Sequence, residues 1–146
     1  MASSTFSGPI KSGTVREGAS VNTGFVVLSQ SYDSGDLTGD TTGNYDVTLG
    51  RIPAGAQIID IVVDQVVAAA TGTTTVSVGN ASGGAQLMAA VDSSAGGRFR
   101  GTATAATQLA WQLSSTADTT VYVRCVVGTA TLTAGRFIVT VIYAQK

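Results

Sequence analysis

Short stretches in which apolar and polar residues alternate recur from Phe25 to the end of this 146-residue chain, separated by turns rich in Gly, Ser and Ala. Alternation with a period of two residues is typical of β-strands that bury one face, and no segment has a clear helical pattern. Parallel strands would need crossover segments, usually helical, that the chain lacks. The sequence therefore predicts an all-β, antiparallel, jelly-roll-like β-sandwich of about eight strands, drawn from residues 25–30, 45–49, 57–67, 73–79, 86–91, 98–102, 108–113, 119–127 and 136–143.

The same alternation assigns faces to the longer strands, because successive side chains of a strand point to opposite sides. In residues 57–67 we expect a core face of Ile59, Ile61, Val63 and Val67, and a partly hydrated face of Ile58, Asp60, Val62 and Asp64. Elsewhere we expect inward side chains at Leu109, Trp111, Leu113, Phe137, Val139, Val141 and Tyr143.

The last strand is fairly apolar on its second face as well, where Ile138 and Ile142 flank Thr140. A monomeric sandwich normally leaves one face of each sheet in water, so an apolar outer face indicates that something covers it. We expect a neighbouring subunit or the N-terminal segment to do so. The chain is therefore predicted to form a homo-oligomer.

The first 24 residues differ from the rest because they are polar, contain Gly every few positions and show no sustained periodicity. We interpret residues 1–24 as an extended N-terminal arm and residues 25–146 as a single β-sandwich domain. The arm has too few apolar residues for a core of its own, so it either docks on a partner or remains a disordered tail. The candidate partner-binding residues are Phe6, Pro9, Ile10, Val15 and Arg16.

The composition argues against chemistry and against charged partners. The chain has no histidine, which removes the commonest general base and transition-metal ligand, and we expect no enzyme activity and no cofactor. The net charge is −1 and only 12% of residues are charged, so nucleic acid is not an expected partner. Cys125, the one cysteine, lies in an apolar run and is predicted to be a buried, unreactive side chain.

A membrane is not an expected partner either, since the most apolar window, residues 58–70, is interrupted by Asp60, Asp64 and Gln65. We also expect no signal peptide, because no basic segment followed by an apolar one occurs near the N-terminus.

Carboxylates cluster in one loop, residues 32–46, where Asp33, Asp36 and Asp40 could offer oxygen ligands to calcium. The Asp spacing does not match an EF-hand, and Asp, Gly, Asn and Ser are also the residues that an exposed turn requires. The turn is the favoured interpretation, and calcium binding stays open. A second charged motif, Arg98-Phe99-Arg100, is expected to put both arginines on one face and the ring in the core.

Two neighbouring segments carry a resemblance. Residues 51–64 read RIPAGAQIIDIVVD, a Pro-Gly turn that starts a long strand, and after a short spacer residues 73–79 read TTTVSVG. This pattern resembles virion proteins of tailed bacteriophages, in particular small jelly-roll head decoration (cement) proteins. The resemblance implies a homotrimer that binds the major capsid protein on the capsid exterior and stabilises capsomer junctions, with the chain made in the host cytoplasm.

Two alternatives remain beside it. One is another virion component of similar build, such as a tail, neck or fibre-base protein. The other is a carbohydrate- or receptor-binding β-sandwich that uses the acidic loop as a calcium site.

Overall fold

The structure is a computed structural model that describes residues 24–33, 38–39, 43–67, 74–101, 104–113, 116–127 and 135–145. These residues form nine strands and one helix: β1 (Gly24–Asp33), β2 (Thr38–Gly39), β3 (Asn44–Ile52), β4 (Gln57–Val67), β5 (Thr74–Gly79), β6 (Met88–Asp92), β7 (Gly97–Arg100), α1 (Ala105–Trp111), β8 (Thr119–Val127) and β9 (Arg136–Gln145). β2 has only two residues, so eight strands build the fold. The predicted arm, residues 1–24, lies outside the described residues except for Gly24, which begins β1.

The strands form two antiparallel sheets. Sheet A has the order β1-β9-β4-β7, and sheet B has the order β2-β3-β8-β5-β6. The pairs are nested in the sequence, because β1 pairs with β9, β3 with β8, β4 with β7 and β5 with β6. A long antiparallel hairpin that rolls up so that successive pairs enter opposite sheets has this pairing, which is that of a jelly roll. The predicted antiparallel sandwich is confirmed.

The core lies between the sheets and follows from regular alternation in the last two strands. β8 buries Val121, Val123, Cys125 and Val127, and β9 buries Phe137, Val139, Val141 and Tyr143. The rings of Phe137 and Tyr32 of β1 lie with centroids 5.6 Å apart. These inward assignments are the predicted ones, and Cys125 is buried as expected.

The faces predicted for β4 are wrong in part. Ile61 and Val63 are fully buried as expected, but Ile58 is buried too, whereas Ile59 and Val67 are exposed. Val62 keeps the side opposite Ile61 and Val63 but is only 9% exposed, so it is not hydrated as predicted. The register against β9 shifts between Ile58 and Asp60 and again between Gln65 and Val67. Each β-bulge inserts one residue without a partner, so it reverses which side chains face the core.

The turn before β4 is confirmed. The Ala56 N–H donates to the Pro53 carbonyl at 3.2 Å, and Gly55 has φ of 74°, a conformation that glycine adopts without strain. This turn leads directly into β4, which is an interior strand of sheet A.

The strand predicted over residues 108–113 is wrong, because residues 105–111 form α1. Thr104 caps the helix: its hydroxyl accepts from the Thr107 N–H at 3.2 Å, and the Thr107 hydroxyl accepts from the Thr104 N–H at 2.7 Å. Leu109 is consequently 74% exposed instead of inward. Trp111 still packs against the core as predicted, and its Nε1 donates to the Leu87 carbonyl at 2.8 Å.

Candidate assembly surface

The side of sheet A that points away from the core is the candidate surface, because β1 exposes large apolar side chains there. We call it the outer face. Since directly paired residues share a face, the registers of β1 and β4 against β9 define its rows. Its members on these three strands include Phe25, Val27, Ser29, Ser31, Asp33, Arg136, Ile138, Thr140, Ile142, Ala144, Asp60, Val62 and Asp64.

An apolar stripe runs over one end of the outer face. Phe25 pairs with Ala144 and Val27 pairs with Ile142, and the two β1 side chains are 66% and 61% exposed. Ile59, displaced by the first bulge of β4, is 43% exposed at the same end. Large apolar side chains in a contiguous row on one sheet face indicate an interaction surface more strongly than scattered ones.

Ion pairs neutralise the charges of the outer face. Arg98 makes a two-point contact with Asp64, with Nε to Oδ1 at 2.5 Å and a second nitrogen to Oδ2 at 3.0 Å. Arg100 lies 3.3 Å from Asp60 on the neighbouring row.

A third pair, Arg136 with Asp33, joins β9 to β1, with Nε to Oδ1 at 2.6 Å and a second nitrogen to Oδ2 at 3.2 Å. Hydrogen bonds from Arg98 and Arg136 lower the pKa of Asp64 and of Asp33 respectively, so both carboxyls remain ionised partners. Three arginines are thus matched by three aspartates, and the described residues of the outer face carry no net charge.

This arrangement bears out the interpretation of Arg98-Phe99-Arg100: both arginines lie on the outer face and Phe99 packs against the core. It also explains Asp60 and Asp64, which serve as ion-pair partners on a partly hydrated face.

Sheet B is different because the chain itself covers part of its outer side. Arg124 of β8 pairs with Asp46 of β3, with Nε to Oδ1 at 3.1 Å, and also donates to the Gly83 carbonyl at 3.1 Å. Gly83 belongs to the loop between β5 and β6, and Ser77 on the same side of the sheet is buried. Among the described strands, those with exposed large apolar side chains, β1 and β4, both belong to sheet A.

The described residues offer little for catalysis or metal binding. Burial raises the pKa of the Cys125 thiol to about 11, which keeps it protonated at neutral pH. Within the described ranges, no group of three or more His, Cys, Asp or Glu side chains is placed to hold a metal ion. Asp33 is engaged by Arg136, while Asp36 and Asp40 lie outside the described residues, so the calcium hypothesis remains a hypothesis. None of the helices that the described residues form is long and apolar enough to cross a membrane.

The predicted arm contacts, Phe6, Pro9, Ile10, Val15 and Arg16, also lie outside the described residues. The half-buried Ile138 and Ile142 are on the outer face as predicted. Phe25, Val27 and Ile59 were missed as surface residues. Residues 25–28 are apolar throughout, so periodicity does not mark Phe25 and Val27 as outward-facing. Nothing in the sequence marks the bulge that exposes Ile59 either.

Comparison with known proteins gives a fold and no family. No protein-family model matches the chain, and no curated protein matches it. Two solved structures contain similar chains. One, from the cyanophage Pam1 capsid asymmetric unit, is 20% identical with a TM-score of 0.59, covering 93% of this chain and 95% of that one. The other, from the capsid of Ralstonia phage GP4, is 19% identical with a TM-score of 0.52, covering 91% and 90%. The fold is shared.

At these identities the similarity extends to the architecture alone. Because it covers at least nine-tenths of each chain, the whole sandwich is shared rather than one sheet.

Proposed function

We propose that this chain is a non-enzymatic virion structural protein of a tailed phage, and specifically a capsid decoration (cement) protein. It binds the outer surface of the shell formed by the major capsid protein and stabilises the junctions between capsomers. The observation that carries the proposal is the uncovered, charge-neutral outer face of sheet A, on a jelly roll similar to chains from two phage capsid structures.

The outer face has the composition that a protein interface requires. A protein interface is depleted of charge at its centre, and each stable contact buries about 1,600 Å² in total. The stripe containing Phe25, Val27 and Ile142 supplies an apolar centre, and the paired arginines supply a polar rim. Binding at capsomer junctions then adds buried area across subunit boundaries, with no step of chemistry.

The N-terminal segment has a part in this proposal. Phe6, Pro9, Ile10, Val15 and Arg16 are the residues we assign to capsid contacts, because they are the apolar and cationic anchors of an otherwise polar segment. Self-association, with a trimer as the order implied by the resemblance, completes the assembly on the virion exterior.

The carbohydrate-binding alternative has less support. Sugar platforms need exposed aromatic rings, and Trp111 is partly buried with its Nε1 bonded to Leu87. Within the described residues, Phe25 is the aromatic ring with large exposure.

Co-sedimentation tests the proposal. The purified chain is mixed with expanded shells of the major capsid protein encoded in the same genome, and the fraction pelleted with the shells is measured. We expect saturable binding by the full chain and loss of binding when residues 2–20 are deleted, with the melting temperature of the sandwich retained. Absence of binding by the full chain contradicts the capsid role, and undiminished binding by the shortened chain contradicts the role of the arm alone.

A Phe25→Ser, Val27→Ser double variant distinguishes the contribution of the outer face to binding from that of the arm. Both side chains are mostly exposed, so the fold is expected to be kept while shell binding or self-association weakens. A Ser29→Ala, Ser31→Ala variant on the same face is the matched control.

A further inference from the structure

One edge of β1 has no partner strand among the described residues, and the proposed function does not explain it. Sheet A ends at β1 on one side, and no described strand pairs with its free edge. Ten residues pair with β9 without a register shift, so the strand is long and regular. An edge of this kind presents unpaired N–H and C=O groups to any further strand.

Proteins usually protect such edges with charge, proline, a bulge or short length. The other three edge strands follow this rule: β7 has four residues and carries Arg98 and Arg100, β6 has five and carries Asp92, and β2 has two. β1 has no Lys, Arg or Pro, and its single charge, Asp33, is bound to Arg136 at the far end of the strand. The protection present at the other edges is missing at β1.

We infer that β1 is the contact through which two copies of this chain join, by antiparallel pairing of β1 with β1 of the second copy across a two-fold axis near Val27. The inference rests on the self-association in the proposed function and names its contact. Binding to shells is a separate part of that function.

The second copy is favoured as the occupant because the edge complements itself. With Val27 opposite Val27 of the second copy, Val26 faces Leu28 and Phe25 faces Ser29, so the apolar halves of the two strands meet. Val26 and Leu28 already pack against the core, and the pairing extends that core across the axis. A register centred on Ser29 would instead place Phe25 opposite Asp33.

Charge does not oppose this contact. Asp33 of each copy keeps its own arginine, so no like charges approach one another near the axis. On the outer face, Val27 of both copies forms a β-branched cross-strand pair, and Phe25 reaches it along the diagonal. The apolar stripes of the two outer faces become one surface.

The two-fold symmetry of the β1 contact limits the number of copies that it can join. A contact of the same patch with itself joins two bodies, whereas a closed trimer needs a head-to-tail contact. The β1 contact therefore yields dimers, or pairs of trimers if the expected trimer forms through another surface.

Disulfide trapping of the full chain tests the inference. The natural sequence has one cysteine, Cys125, which is buried, so Val27→Cys introduces the reporter thiol. We expect V27C to form a covalent dimer under oxidised glutathione, because residues directly opposite have Cα atoms within the 4.4–6.8 Å that a disulfide requires. Ser31→Cys is the matched control on the same strand and face. Its two copies would lie eight residues apart along the strands, roughly 26 Å, and should not link.

Val27→Lys provides a second test that does not depend on a covalent cross-link. Sedimentation velocity across the micromolar range is expected to show self-association weakened about tenfold or more, with an unchanged melting temperature, because Val27 is exposed in the single chain. Failure of V27C to link, equal linking of S31C, or unchanged association of V27K overturns the inference. No shells are present in these experiments, so the contact can fail while shell binding holds, and the reverse.

Discussion

Ile59 and Ile61 lie two residues apart in β4 and have opposite environments. Ile61 is fully buried between the sheets, whereas Ile59 is 43% exposed beside the first bulge. Alternation alone puts both on one face, since parity is constant along an unbroken strand. The bulge is set by how β4 pairs with β9, and that pairing is absent from a local reading of the sequence.

Substitution by alanine should lower the free energy of unfolding by very different amounts at these two positions. Ile61→Ala removes buried methyl groups and leaves a cavity, so we expect a loss of about 2–5 kcal/mol in the free energy of unfolding. Ile59→Ala should cost about 0.5 kcal/mol or less. Urea unfolding of both variants measures the difference, and equal losses would mean that the bulge is misplaced.

The buried thiol of Cys125 should make the free energy of unfolding depend on pH. Burial raises its pKa from 9.0 to about 11, so the folded state holds the proton more tightly than the unfolded state. The stabilisation is complete below pH 9 and is lost as the pH rises towards 11, by up to roughly 3 kcal/mol. Tyr32, whose pKa burial raises to about 12, adds a slope that a cysteine substitution leaves in place.

Cys125→Ala should therefore flatten the fall in unfolding free energy between pH 9 and 11 relative to the natural chain. Denaturant titrations at several pH values measure both slopes. Parallel slopes in the two proteins would contradict the assignment of this pH dependence to the thiol.

At the level of elements, the regular strands were predictable and the irregular ones were not. β8 keeps one parity from end to end and β9 keeps it as far as Tyr143, so alternation predicted their buried faces and the bounds of β8. β9 continues two residues beyond the predicted end, to Gln145. α1 has seven residues, about two turns, which is too short for a helical period to stand out, and its start depends on the capping exchange between Thr104 and Thr107. The inward Trp111 was predicted correctly because burial of the ring does not depend on which element carries it.

The N-cap of α1 should contribute to the stability of the fold. Thr104→Ala removes the acceptor for the Thr107 N–H and should lower the free energy of unfolding by about 1 kcal/mol. Thr104→Ser retains the acceptor and should stay near the natural value. Because Trp111 is the one tryptophan and ends the helix, its fluorescence follows the same transition. Identical stability of the alanine and serine variants would show that the cap contributes nothing.

At the level of the whole molecule, the outer face of sheet A was predictable only in part. The apolar Ile138 and Ile142 indicated a covered face, and the structure adds Phe25 and Val27 beside them through the register with β9. That register joins the two ends of the described chain, residues more than 100 positions apart, which no local pattern encodes. The neutral charge of the face arises in the same way, since each arginine finds its aspartate on a neighbouring strand.

The most direct test of the proposed function is electron cryo-microscopy of the purified phage virions to which that function assigns this chain. We expect jelly-roll density on the outer surface of the capsid, over junctions between capsomers, into which this sandwich fits with sheet A contacting a neighbouring protein. Location of the chain in the tail or neck, or its absence from the virion, would contradict the proposed decoration function.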